Sequence, residues 1–223
     1  MIDAVAGFAA NGRFEIKNIR LFTRPTPVPK YENETSASKA AKNTRWLCVE
    51  AIFIPQAISG KADPWYDDVT MEGMLVISHP GGKVSTVVLT GKTRFFTIPA
   101  DGKQHIGMFY VPAKILSRYL GTWNGEQPPV DAARISFYAP GKVLLGEGFW
   151  ERSGKKGKFV PEKSKTHRAV SDRMKGYENS SSVTTLRGGL YSKEKTPWVY
   201  YNYDLYDLIY DNVLQEDSGS IKR

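Results

Sequence analysis

At 223 residues, with 41% hydrophobic and 12% aromatic content, the chain has material for one large β domain with appendages or for two small domains. That composition argues against wholesale disorder, no stretch approaches the roughly 18 apolar residues of a membrane helix, and the lone Cys48 excludes a disulfide framework or a cysteine-cluster zinc site. The net charge of +8 is uneven: residues 151–175 carry nine basic against three acidic residues, whereas 196–217 carry five acidic residues and no lysine or arginine.

Residues 1–12 lack a basic leader region and a full apolar stretch, so they read as a flexible N-terminus and not as an intact signal peptide. The small-residue run Ala4 to Ala10 suits the remnant of a removed targeting segment; a cytoplasmic protein is the alternative. GRFEIKNIRLFTRP forms a first strand, and the change of parity between Phe14/Ile16 and Ile19/Leu21 predicts a bulge near Lys17 and Asn18. Pro25, Pro27 and Pro29 force an extended exit into a polar loop. RWLCVEAIFIP is a second strand, with Leu47, Val49, Ala51 and Phe53 on one face and Cys48 as a buried, inert thiol.

A loop holding AISGKADPWYDD leads to a strand in VTMEGMLVISH, and HPGGK is a turn. VSTVVLTGKTRFFTIP supplies one or two strands, ADGK a turn of the hairpin kind, and QHIGMFYVP a further strand. PAKILSRYLG is a short helix with Pro at its start and Gly as its stop. ARISFYAPGKVLLGEGFWERSGKKGKFVPE holds two or three strands, its Gly146 and Gly148 marking a bulge or close packing and SGKKGK a hairpin tip. Eight to ten short strands with regular turns predict a mainly β fold, a sandwich or barrel. The organisation expected is a β-sandwich over 13–160, a basic, partly mobile arm over 161–195, and an aromatic, acidic segment over 196–223 with a helix at 204–216.

Chemistry-bearing motifs are sparse. His79, His105 and His167 have no partner at metal-site spacing, and no nucleophile elbow, P-loop or dinucleotide fingerprint occurs. Asp67 and Asp68, with Asp63 nearby, match no cation loop and read as an exposed polar loop. No cofactor and no metal is expected. Lys155, Lys156 and Lys158 lie in the basic stretch 151–175, which offers sites for a polyanion such as an anionic glycan or nucleic acid, although few aromatics interleave them. If the chain were a carbohydrate-active enzyme, Glu50, Glu72 and Glu147 are the acids that would pair.

The strongest lead is the C-terminal segment. Asp204, Asp207 and Asp211 fall on one helical stripe, and the rest of the turn is apolar, including Leu205, Tyr206, Leu208, Ile209 and Tyr210. So wide an apolar arc needs a surface to pack on, either in its own domain or in a neighbour. Trp198, Tyr201, Tyr206 and Tyr210, with the three aspartates and Lys155, Lys156 and Lys158, are therefore the expected partner-binding residues.

The succession RWLCVEAIFIP, GMLVIS, STVVLT and HIGMFYVP resembles the immunoglobulin-like β-sandwiches of exported and of pilus- or archaellum-associated envelope proteins. It departs from true immunoglobulin domains in that Cys48 has no cysteine partner. The resemblance implies a secreted or envelope scaffold, and transfers no functional residues. The expected function is non-enzymatic: a structural or interaction protein, homo-oligomeric, with a cyclic assembly as one form open to it, contacting its partner through the C-terminal segment.

Overall fold

The computed structural model describes residues 13–25, 45–57, 65–78, 86–120, 130–153 and 156–197, the side chains of Leu120 and Lys156 excepted. Strands β1 (Phe14–Pro25), β2 (Arg45–Pro55) and β5 (His105–Val111) make a three-stranded antiparallel sheet in the order β1-β2-β5. β3 (Trp65–Ser78), β4 (Thr86–Pro99), β6 (Val130–Ala139), β7 (Val143–Ser153), β8 (Lys156–Val160) and β9 (Thr184–Arg187) make a six-stranded sheet ordered β8-β7-β6-β3-β4-β9. Within it β9 runs parallel to β4 and every other pair is antiparallel.

The predicted strands follow from alternation. In β2, Leu47, Val49, Ala51 and Phe53 all point into the core. The register of β1 on β2 slips between Ile16 and Asn18, so the bulge at Lys17 lets Phe14 and Ile19, on opposite parities, both be buried. Between the sheets, Phe14, Phe53, Tyr66, Phe95, Phe109 and Phe137 build an aromatic core, with Phe53 and Phe137 centroids 4.4 Å apart and Tyr66 edge-on to Phe14 at 4.8 Å. The Tyr66 hydroxyl donates to the Gln56 carbonyl at 2.8 Å and accepts from the Arg13 amide at 3.1 Å, so the one polar end of that core residue is satisfied.

β1 lies against β7 and β8 and closes one flank of the sandwich. The approach needs glycine: a Cβ on Gly148 would fall 2.7 Å from Ile16 Cγ2, and one on Gly146 would strike the Phe14 carbonyl. The opposite flank is closed by a strap. Thr184–Arg187 pairs with Val87–Thr90, the Leu190 amide donates to the Thr90 carbonyl at 3.2 Å, and Tyr191 exchanges two backbone bonds with Tyr110 at 2.7 and 2.8 Å. Helix α1 (Ala113–Leu120) inserts Leu116 into the core, as its sequence spacing predicts.

Three expectations are corrected. The ADGK turn forms, with Gly102 at φ +68°, but it joins β4 to β5 across the two sheets and so makes no hairpin. Asp67 and Asp68 belong to β3 and not to a loop; Asp68, at φ +57°, is gripped by both arms of Arg94, with Nη2 to Oδ2 at 2.6 Å. The stretch expected to be an arm holds helix α2 (Lys165–Asn179). It buries Val170 and Met174 against Met74, Val76, Val88, Ala132, Phe149 and Val160 on the outer side of the six-stranded sheet, with Tyr177 packed beside them.

Candidate interaction surface

Of the residues expected to bind a partner, Trp198, Tyr201, Asp204, Tyr206, Asp207, Tyr210, Asp211 and Lys155 lie outside the described residues, as does the side chain of Lys156. Lys158 is exposed on β8, an edge of the six-stranded sheet, opposite Glu151. The helix expected at 204–216 likewise lies outside. Thr196 ends a short 3-10 turn at Lys193–Lys195, its hydroxyl donating to the Lys193 carbonyl at 2.7 Å.

The two outer faces of the sandwich are built from opposite materials. That of the six-stranded sheet is covered by α2 at one end and laced with ion pairs over the rest. Lys92 meets Glu72 at 2.7 Å, Arg173 meets Glu151 at 3.1 Å, and Arg134 clasps both oxygens of Glu178 while lying 3.8 Å from Glu147. Burial alone would weaken the charge on Arg134, but Glu178, Glu147 and Tyr138 together outweigh burial and raise its pKa.

The outer face of the three-stranded sheet carries an apolar band with Glu50 set in it. Its side chains stand in cross-strand rows: Phe22, Cys48 and Tyr110 in one, Arg20, Glu50 and Met108 in the next, then Asn18, Ile52 and Ile106. Trp46 stands opposite Arg24 at one end, and the Arg24 guanidinium sits 5.2 Å over the Phe22 ring. Relative exposure is 0% at Cys48, 2% at Tyr110, 4% at Met108 and 8% at Ile52. Arg20 and Arg24 are exposed and border the band; Arg20 reaches Glu50 at 3.4 Å. Burial pushes the Cys48 thiol up to about 12, with Arg24 opposing and Glu50 assisting the rise. This is the inert, buried thiol that the sequence predicts.

Of the acids proposed for an enzyme, Glu50 stands on the other sheet from Glu72 and Glu147. Those two flank Ser136 on one row of the six-stranded sheet, about 9.5 Å apart at 4.7–4.9 Å per strand. Glu72 is bound by Lys92 and also lies 3.8 Å from Lys142, while Glu147 accepts from Ser136 at 3.0 Å. A cleft of about 470 Å³ lies elsewhere, lined by Arg13, Glu15, Ile16, Gln56, Pro161, Glu162 and Lys163; Arg13 pairs with Glu162 at 2.5 Å, and Glu15 with Lys17 at 2.6 Å. Among the described residues no three His, Cys, Asp or Glu side chains gather as a metal site would require. His105 bonds Asp101 at 3.1 Å, and His167 packs edge-on to Phe149 beneath α2.

The sequence analysis missed this apolar face, although the signal was present. RWLCVEAIFIP is apolar on both parities, with Trp46, Cys48, Ile52 and Ile54 opposite the inward set, and a strand of that kind is covered on both sides.

No curated protein matches the chain. A crystal structure of a protein from Akkermansia muciniphila shares the fold at a TM-score of 0.65, with 16% sequence identity, covering 89% of this chain and 93% of that one. A family model matches residues 6–213, nearly the whole length, and the chain belongs to that family.

Proposed function

We propose that this is a non-enzymatic structural or interaction protein of the cell envelope, working as a homo-oligomeric contact module. The observation that carries the reading is the apolar outer face of the three-stranded sheet, bordered by Arg20 and Arg24. An antiparallel sheet with one face in water ordinarily alternates apolar and polar residues, so a second apolar face exists to be covered. The strand order supports the immunoglobulin-like assignment: β1-β2-β5 faces β7-β6-β3-β4, the arrangement of such sandwiches, with β8, α2 and β9 as additions. An envelope location rests on the same likeness.

Sedimentation velocity at low and high salt, with and without residues 198–223, tests the assembly. An oligomer that loses subunits on truncation is expected, and a monomer under every condition overturns the reading. Fractionation of producing cells tests the location, with the protein expected in the envelope or medium.

A second reading has its own observation. Lys158, Lys163, Lys165, Arg168 and Lys175 are exposed along β8 and α2, and Arg168 is 94% exposed, so the basic stretch presents an ordered row of cations. Retention on heparin that falls steeply with salt and weakens on replacing Lys158, Lys163 and Lys165 by Ala is its expected result.

A further inference from the structure

Side chains on the outer face of a sheet are dry only beneath another layer. Cys48, Tyr110 and Met108 are between 0% and 4% exposed, yet they point away from the sandwich core. Among the described residues, the apolar side chain that reaches this cluster from outside the sheet is Tyr191, whose ring lies edge-on to Trp46 at 6.3 Å. Tyr191 sits at the β5 edge, and one ring there does not extend over the Cys48 row and the Met108 row together.

The chain itself runs to that edge. After Tyr191 it follows β5 through the turn at Lys193–Lys195, with Ser192, Lys193 and Thr196 all buried, and the described part ends at Pro197. What comes next is WVYYNYDLYDLIYDNVL, residues 198–214, dense in large apolar side chains and bearing Asp204, Asp207 and Asp211. From β5 to β1 is about 10 Å at 4.7–4.9 Å per strand, a span that about seven helical residues cover at 1.5 Å each. The segment is long enough to cross the sheet. Its acidity complements Arg20 and Arg24 on the far strand, the cations that border the band.

We propose that residues 198–214 dock across the outer face of the three-stranded sheet of their own chain, covering the Cys48 and Met108 rows with their aromatic side and turning their aspartates toward Arg20 and Arg24. The proposal rests on the contact surface assigned above and names its occupant. It makes the face a filled site in the isolated subunit, so that subunit joining through it proceeds by exchange of this segment between copies, which truncation abolishes.

Cys48, the chain's one thiol, is a built-in reporter. Reaction with a thiol reagent under native conditions is followed for the full chain, for a chain ending at Pro197, and for the full chain carrying Asp204→Lys, Asp207→Lys and Asp211→Lys. Circular dichroism confirms that each is folded. The truncated chain is expected to react at least ~10-fold faster than the full chain, the charge-reversed chain to fall between them, and a synthetic peptide of residues 198–217 to restore protection. Protection of the full chain is expected to persist through about 100-fold dilution, because an intramolecular contact does not obey mass action. Equal rates in the full, truncated and charge-reversed chains overturn the proposal. Protection that disappears on dilution overturns it in favour of a segment donated by a second copy. If the truncated chain fails to fold, the charge-reversed chain and the dilution series still decide. Sedimentation of the same samples separates the two ideas: a protected Cys48 in a strict monomer sustains the docking and sinks the assembly, and a Cys48 still protected in an oligomer of the chain ending at Pro197 does the reverse.

Discussion

The six-stranded sheet and the three-stranded sheet solve the same problem differently on their outer faces. The first covers its apolar patch with a helix of modest hydrophobicity, two of whose residues, Val170 and Met174, are fully buried, and covers the rest with paired charges. The second carries an apolar band in which Glu50 is the inner charge, with Arg20 and Arg24 along its border. A face finished by ion pairs is complete in water, since those pairs lose little by staying wet. A face of Cys48, Met108, Tyr110 and Ile52 is complete only when something apolar lies on it. The difference separates a face finished by its own helix and ion pairs from a face whose apolar rows call for a cover.

The largest test of that contrast is Phe149→Ala, which removes the ring on which α2 rests. A loss of about 3–5 kcal/mol in denaturant unfolding is expected. A cost near zero would mean that α2 contributes nothing to the six-stranded face. Next, Met108→Ala is expected to cost about 2–5 kcal/mol in the full chain and less than half of that in a chain ending at Pro197, because the truncated chain has already lost the cover. An equal cost in both would erase the distinction between the faces. Arg134→Met should lose about 1–3 kcal/mol, since Glu178 and Glu147 are left facing one another's charge without the guanidinium.

The smallest effect is one of pH. The Cys48 thiol has its pKa raised from 9.0 to about 12 in the folded chain, so the unfolded chain ionises first as the solution becomes alkaline. Stability from this group is fully present below pH 9 and is lost as pH rises from 9 toward 12. Between pH 9 and 10 that amounts to about 1 kcal/mol. Cys48→Ala should flatten this alkaline limb in the full chain, whatever it costs in packing at pH 7. An unchanged slope would mean that the thiol is already wet.

Much of the fold was legible because local pattern and burial agree. The bounds of β2, the bulge at Lys17, the α1 helix and the close approach at Gly146 and Gly148 all follow from periodicity, proline and glycine in short windows. What was not legible depends on distant partners. The apolar stripe of α2 is thin, His167, Val170, Met174 and Tyr177 set among Lys, Arg and Gly, and its spacing of three and four residues was outweighed by charge. β9 is four residues long and pairs in parallel with a strand almost a hundred residues earlier, a partnership with no local signature. Of the candidate site, Lys158 alone falls with a described side chain. The apolar face itself was hidden because only one parity of RWLCVEAIFIP was assigned a role.

The strap from Thr184 to Tyr191 has a consequence for how the protein is made. It seals β4 of one sheet and β5 of the other, and both edges stay raw until residue 191 has left the ribosome. A nascent chain whose strap has not yet emerged therefore exposes two sticky margins. A clipped chain that lacks the strap leaves both of those edges bare.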